Sequence, residues 1–351
     1  MHVRRANLHS PKVSVIVLNW NGLKYLGPCL TSLMNQNVTD YEVILVDNES
    51  SDGSVDYCKQ NFPTARVIEN RRNFGFGKGN NIGITQAKGE YVIVLNQDTV
   101  VPPDFVQTLV KVASSDSSIG SVGCRQVGVD GKPSYGAVYM NHGIVVPWIM
   151  GARVSQRIII SHSLDGLCLA NCAAAVLYRK DAFETVGGFD EDFWSDWEDN
   201  DLGFRLWIAG YKNLFTAKTT ITHVGEASGS RLSRERNVRM IRNMLATYFK
   251  DYEPSDIMTR FFLLFWIIVP ARYLLLSIFS LMRTVLRQTG DEKSDRRTVR
   301  VPSQAHIALP QAYREFIRRL PNVMSKRVVV QSHRKVSDSK IFSLTERNWI
   351  I

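Results

Sequence analysis

Four carboxylates and one imidazole stand out by type and spacing. Asp98 follows the apolar run 91–95 in the string Asn96-Gln97-Asp98, while Glu198, Asp199 and Asp201 crowd one turn of Trp197-Glu198-Asp199-Asn200-Asp201-Leu202, and His223 ends the run 219–223. Carboxylate oxygens suit a hard divalent cation, Mg2+ or Mn2+, which bridges phosphate oxygens and neutralises charge building up on a departing diphosphate. One further carboxylate is then available as a base. Acidity at a helix N-terminus complements the dipole and accounts for part of the 198–201 cluster, but three acids in one turn exceed what capping needs.

Such residues need elements that carry them to one place, and the chain supplies a regular alternation. Apolar runs at 13–18, 41–46, 65–68, 91–95 and 119–122 read as strands. Periodic stretches through Leu23, Leu26, Leu30 and Leu33, and at 55–61, 78–87 and 104–113, read as the helices between them. That pattern predicts a doubly wound, parallel sheet over the first 125 residues, with its ligand crevice at the carboxyl ends of the strands. The residues just after four consecutive strands are Asn19-Trp20-Asn21, Asp47-Asn48, Asn70 to Asn73 and Asn96-Gln97-Asp98. One Asx residue there is usually a helix cap; four such loops together point to a polar ligand.

Asn73-Phe-Gly-Phe-Gly-Lys-Gly-Asn-Asn-Ile-Gly83 invites a dinucleotide-binding reading and fails it. After Gly75 and Gly77 the third glycine is replaced by Asn80, and the stretch follows the third strand, not the first. Glycine and asparagine opening a helix still suit close backbone approach to a phosphate or sugar. Residues 126–165 lose the alternation and read as loops and short strands roofing the sheet edge. Order returns at 167–178, a helix at 180–186, the turn Gly187-Gly188-Phe189-Asp190, a helix from 198 to 209, and two strands at 211–214 and 219–223.

The 351 residues are 44% hydrophobic, 22% charged and 10% aromatic, which excludes a fibrous or wholly disordered chain. Charge is unevenly shared: residues 231–351 hold 23 basic and 10 acidic side chains, a net +13, against −3 for residues 1–230. A basic helix is expected at 231–249. The block 261–282, FFLLFWIIVPARYLLLSIFSLM, is long enough to span a bilayer but is broken by Pro270 and Arg272. Two short helices lying in the interface, with Arg260, Arg272, Arg283 and Arg287 at headgroup level, match it better than a span; a dimerisation hairpin is a third reading. Residues 289–310 read as a linker, 311–320 as a short basic helix, and the tail after Pro321 as peripheral. A basic module without aromatic and basic residues interleaved on a strand argues for an anionic membrane surface and against nucleic acid. Five cysteines without a CxxC pair read as reduced thiols in a cytosolic compartment with no zinc site, and residues 1–11 lack the apolar run of a secretion signal.

Together, residues 13–21, Val46-Asp-Asn-Glu-Ser-Ser-Asp-Gly-Ser54, Asn73 to Gly83, Leu95-Asn-Gln-Asp-Thr99, Gly187-Gly-Phe-Asp-Glu-Asp-Phe193 and Glu198-Asp-Asn-Asp-Leu202 resemble the successive motifs of family 2 glycosyltransferases, especially the rhamnosyltransferase-like branch. The resemblance covers about residues 12–250. It implies a GT-A fold: an α/β, doubly wound, mostly parallel sheet, here over residues 1–250, with a C-terminal helical, membrane-associating extension at 251–288 and a basic linker and tail at 289–351. It also implies transfer of a sugar, rhamnose or another hexose, from a nucleotide diphosphate sugar donor to a glycan or lipid-linked glycan, with inversion and with Mg2+ or Mn2+. Asn19, Trp20, Asp47 and Asn48 are then expected around the base and ribose, and Asn73, Gly75, Gly77, Asn80 and Gln97 around the rest of the nucleotide sugar. Asp98 and His223 would hold the metal, and Asp199 would act as the catalytic base. Trp194, Trp197 and Glu198 fall on the acceptor side, the two indoles either stacking on a sugar or packing at the helix entrance. A non-catalytic nucleotide-sugar-binding scaffold is the competing reading, and the presence of both Asp98 and Asp199 speaks against it. The expected location is the cytoplasmic face of a membrane, with a homodimer as a further arrangement.

Overall fold

Strands buried on both faces read as near-continuous apolar runs, as the first, second and fourth strands do, whereas the third, RVIE, is a partly exposed edge. The computed structural model describes residues 11–133, 136–138, 165–225, 233–261 and 305–345. β1 (Val13–Asn19), β2 (Tyr41–Asp47), β3 (Arg66–Glu69) and β4 (Tyr91–Asn96) lie parallel in the order β3-β2-β1-β4. Val13 pairs with Tyr41 and Asn19 with Asp47, so the polar ends of β1 and β2 stop side by side. The crossovers are α1 (Leu23–Met34), α2 (Ser54–Asn61) and α3 (Gly75–Thr85); α4 (Phe105–Ala113) follows β5 (Thr99–Val100). Val15, Val17, Leu45, Ile93 and Leu95 pack on Leu26 and Leu30 of α1 and Leu109 of α4. On the opposite face, Ile16, Ile44, Val92 and Val94 meet Ile84 of α3 together with Leu202 and Leu206.

The second half departs from a simple parallel sheet. β6 (Ile119–Val127) and β11 (Lys212–His223) are parallel to each other, but β10 (Ala175–Arg179) is inserted between β4 and β6 and runs against both. β5 pairs antiparallel with the end of β11, setting Val100 opposite Thr222 and Thr99 opposite His223. Short strands β7 (Ala137–Val138) and β9 (Ala170–Asn171) pair with each other, and β8 (Gly166–Leu167) pairs with β11. The two strands expected at 211–214 and 219–223 are one strand, because a bulge between Thr216 and Thr220 absorbs the break in pattern. α3 starts at Gly75, three residues earlier than expected. Most of the roof expected at 126–165 lies outside the described residues.

α5 (Lys180–Thr185) leads through the turn Gly187-Gly188, φ +81° and +67°, to α6 (Glu198–Ile208). Arg205 of α6 holds this turn from below. Its Nε and Nη2 donate to Asp201 Oδ2 at 2.8 and 2.6 Å, Nη2 also donates to the Gly188 carbonyl at 2.7 Å, and Nη1 donates to the Val186 carbonyl. Asp201 is fully buried. One of the three acids read as chemistry is thus a structural counter-ion.

The chain separates into two compact units, 1–229 with 333–351, and 230–332. In the first, α9 (Asp338–Thr345) packs on α6 through Phe342 and Phe204, 6.3 Å between centroids, and the Lys335 N–H donates to the Ile208 carbonyl at 2.8 Å. Residues read as a peripheral tail therefore belong to the sheet unit. In the second, α7 (Arg234–Asp251) is capped by Ser233 and packs along α8 (Ala305–Ser332). Arg242 pairs with Glu315 at 3.2 Å, Phe249 stacks near Phe316, and Arg327 Nη1 donates at 2.7 Å to the carbonyls of Phe249 and Tyr252, which the end of α7 leaves without helical partners. α8 is far longer than the helix expected at 311–320 and takes in part of the expected linker and tail. Pro321 removes the bond to the Ile317 carbonyl, but Ile317 is exposed to water, and burial of Phe316 and Val323 offsets the loss. Among the described residues no helix is long and apolar enough to cross a membrane. The apolar block lies outside them from residue 262 onward, so the spanning, interfacial and hairpin readings fall there too.

Arg205→Met is expected to lower stability by about 3–5 kcal/mol, because it leaves the Asp201 carboxylate buried and unpaired. Removing the exposed Lys59–Glu69 pair should leave the urea midpoint unchanged. Equal midpoints for the Arg205 variant and the parent would contradict this assignment.

Candidate active site

The ends of β1, β2 and β4 meet in one hydrogen-bonded group. Asn19 Nδ2 donates to Asp47 Oδ1 at 2.7 Å and to Ser50 Oγ at 3.1 Å, and Asp47 Oδ2 accepts from the Ser50 N–H. Asn48 Nδ2 donates to the Gly75 carbonyl at 3.0 Å and to Asn73 Oδ1 at 3.3 Å, while its Oδ1 accepts from Asn70. Five residues expected around a nucleotide, Asn19, Asp47, Asn48, Asn73 and Gly75, are therefore neighbours. The side chains of Asn19, Asp47 and Asn48 are buried and shape the loops.

Trp20 is different, being 46% exposed on a braced turn. Gln97 Oε1 accepts from the Trp20 N–H at 2.8 Å and Gln97 Nε2 donates to the Trp20 carbonyl at 3.2 Å, so both ends of this carboxamide brace the indole-bearing turn. Gly22 follows because any Cβ there would strike Gln97 and Asn19. The glycines after Asn73 are closely packed. A Cβ on Gly75, φ +77°, would meet the Trp194 ring at 2.7 Å, one on Gly77 would lie 3.3 Å from Phe189 Cβ, and one on Gly79 would lie 2.6 Å from Leu18 Cδ1. Asn80 is turned into α3, donating to the Phe76 carbonyl at 3.0 Å.

Asp98 and His223, distant in sequence, are brought together by the β5–β11 pairing. His223 Nε2 lies 3.3 Å from Asp98 Oδ1 and 3.4 Å from Asn96 Nδ2. Asp98 Oδ2 accepts from the Gly225 N–H at 2.9 Å, and its backbone carbonyl accepts from Val224, which locks the strand end onto the loop. A buried carboxylate beside an imidazole is an oxygen and nitrogen donor pair that fits Mn2+ or Mg2+, ions that take one or two protein ligands and complete their shell with phosphate oxygens and water.

Asp199 sits in the first turn of α6, after a strained approach. Trp194, Asp196 and Trp197 have φ of +63°, +66° and +80°, and the Ser195 N–H donates to the Phe193 carbonyl at 2.8 Å across a γ-turn at Trp194. Positive φ in non-glycine residues costs on the order of 1–3 kcal/mol each, and such strain collects at active sites and ligand clamps. The turn is anchored where the Trp194 carbonyl accepts from the N–H of Phe76. Trp194 remains 41% exposed; Trp197 and Glu198 are more enclosed, Glu198 being buried. Asp199 Oδ1 accepts from the Asn200 N–H and Nδ2, each at 2.8 Å, and Oδ2 from the Ala173 N–H at 3.4 Å. Burial pushes the Asp199 carboxyl up to about 6, with the nearby Asp196 charge acting in the same direction and the N–H donors opposing it.

Residues 172–174, which stand where the resembled family carries small residues, connect these parts. The Ala174 carbonyl accepts from the Asn96 N–H at 2.9 Å, and the Ala173 N–H faces Asp199. The thiol of Cys172 is pushed up to about 12 by burial, with Asp199 adding to the effect, and stays neutral. All five cysteines are free.

A family model described as glycosyl transferase family 2 matches residues 14–187. An N-acetylglucosaminyl-diphospho-decaprenol L-rhamnosyltransferase of Mycobacterium tuberculosis is 28% identical over 233 residues, covering 60% of this chain and 75% of that protein. The O-antigen biosynthesis protein RfbC of Myxococcus xanthus is 28% identical over 229 residues, covering 62% of this chain and 18% of that protein. Among solved structures, the mannosyltransferase PcManGT of Pyrobaculum calidifontis, in complex with GDP-Man and Mn2+, superimposes with a TM-score of 0.56 at 18% identity over 88% of each chain. S. aureus TarS 1–349 with UDP-GlcNAc gives a TM-score of 0.54 at 18% identity, over 95% of this chain and 90% of that one. At these identities the structures speak for the fold, a mixed α/β sheet of GT-A type. The chain is a family 2 glycosyltransferase, and its relatives place it with the rhamnosyltransferase-like members.

Proposed function

We propose that this glycosyltransferase moves a sugar from a nucleoside diphosphate donor to a hydroxyl of a lipid-linked glycan, with inversion at the anomeric carbon and with Asp199 as base. The observation that carries the reading is the convergence, through residues 172–174, of the Asp98–His223 pair and a carboxylate whose proton affinity is raised toward neutrality. Asn19, Asp47, Asn48 and Asn73 shape the nucleoside end of the donor site, and Trp20 offers the ring against which it rests. Asp98 and His223 would hold Mg2+ or Mn2+, whose charge offsets that of the departing diphosphate.

Asp199 takes the proton of the acceptor hydroxyl. The freed oxygen pair bonds to the anomeric carbon from the face opposite the phosphate, the bond from that carbon to the phosphate oxygen breaks, and the electron pair leaves with the diphosphate. The raised pKa suits this role, since a base is most effective when its pKa lies near the working pH. Trp194 and Trp197 stand on the acceptor side of Asp199, with Glu198 between them and the base. Relatives named for a decaprenol-linked acceptor and for O-antigen biosynthesis support a lipid-linked or cell-envelope glycan. The charge of residues 231–351 and the exposed Ile317, Met324 and Val328 beside Arg314 and Arg318 on α8 support work at an anionic membrane surface. The cytoplasmic face is the side on which nucleotide sugars would be met.

Asp199→Asn should lower turnover about 10²- to 10⁴-fold while leaving donor affinity intact, because the amide keeps the shape and cannot take the proton. The carboxylate is the active form, so the rate of the parent should fall as pH drops through about 6 and level off above it. Near-normal turnover of the variant, or a rate flat from pH 5 to 8, would contradict the assignment. Separately, Asp98→Ala should weaken metal-dependent binding of nucleotide sugar by about 10- to 100-fold or more, with binding of the nucleoside alone almost unchanged. Calorimetry showing equal donor affinity in the presence of Mn2+ would overturn that role.

A further inference from the structure

Gln126 is placed one residue before the end of β6, and the residue is 1% exposed. Among the described residues neither Oε1 nor Nε2 has a hydrogen-bond partner of normal geometry; the weakly polar Cys172 thiol lies against the carboxamide. Leaving a buried donor or acceptor unmatched is costly, so native chains keep such groups for a reason.

The position supplies one. On one side the β6–β11 register sets Gln126 opposite Ile221, two residues before His223. On the other, Cys172 leads into Ala173, whose N–H faces Asp199. Gln126 thus lies on the strand paired with the one that ends at His223, and its carboxamide lies beside the Cys172 peptide that leads to Asp199, next to the groups proposed to face the diphosphate and the acceptor. A carboxamide both donates and accepts, which matches a sugar hydroxyl on either count. Two more buried polar atoms without partners flank the base, the Trp197 indole N–H and Asn200 Oδ1.

We propose that Gln126 is a donor-sugar recognition residue whose carboxamide hydrogen-bonds a hydroxyl of the transferred sugar, an assignment that rests on the proposed transfer. A sugar lacking that hydroxyl would leave the amide unmatched and be rejected, so the residue helps set donor specificity.

The test measures binding of UDP, dTDP and GDP, and of UDP-GlcNAc, dTDP-rhamnose and GDP-mannose, with Mn2+, to the full chain and its Gln126→Leu variant. Affinity for the nucleoside diphosphate should hold within about twofold, while affinity for the nucleotide sugar falls about tenfold or more. The variant should melt at or above the parent temperature, because leucine removes an unmatched amide. If it melts lower, Gln126→Met, unbranched and similar in length, is measured in its place. Unchanged sugar affinity together with a higher melting temperature would make the amide a structural defect and overturn the inference alone. Loss of diphosphate and sugar affinity together would overturn it as well. A parent chain that holds none of the nucleotide sugars would sink the proposed function and this inference with it.

Discussion

β10 runs against both of its neighbours, and the site follows from that reversal. A parallel strand would begin at the edge of the sheet away from the ligand crevice. Because β10 begins at the crevice edge, the peptide leading into it, Cys172 to Ala174, lies along the line where β1, β2 and β4 end. That peptide accepts from Asn96 and donates toward Asp199, so the loop carrying Asp98 and the helix carrying Asp199 are held to one backbone. The β5–β11 pairing does the same for His223. The segments carrying Asp98 and Asp199, a hundred residues apart in sequence, are thus tied to the same short peptide.

Around this frame the protein keeps polar groups buried and backbone strained. Asn19, Asp47 and Asn48 satisfy one another and hold the loops rigid, which spares a ligand the cost of ordering them. The turn from Trp194 to Trp197 is strained, yet it is anchored on α3 at Trp194 and runs at its other end into α6, whose Arg205 also holds the Gly187-Gly188 turn upstream. Burial that raises the proton affinity of Asp199 also opposes its charged form in the folded chain. That trade is expected of a carboxylate kept for chemistry rather than for stability.

Much of this was legible in the residues, for identifiable reasons. Strands at 13–18, 41–46 and 91–95 are largely buried on both faces and therefore read as near-continuous apolar runs, and the polar loops after them do converge. The direction of β10 was not legible, since Ala175 to Tyr178 carries the same apolar pattern either way. Residue type could not separate Asp201, bound to Arg205, from Asp199, because both sit in one acidic turn and only the fold shows which has an arginine one helical turn away. The glycines at 75, 77 and 79 read as room for a phosphate, whereas the structure fills the space beside them with Trp194, Phe189 and Leu18. Pro310 and Pro321 hid the length of α8, whose stability comes from burial against α7. Gln97 sits in a motif, but its brace of the Trp20 turn shows only in the structure; Gln126 carries no signature at all, and its meaning comes from what lies beside it.

The proposed transfer is a single displacement in which Asp199 activates the acceptor and no protein group attacks the sugar. Its most direct test is the anomeric configuration of the product, followed by proton NMR from the first turnovers with an α-linked nucleotide sugar and a lipid-linked acceptor. A β-linked product from the outset, the stereochemistry inverted, is expected. An α-linked product would mean retention, and with it a different use of these carboxylates.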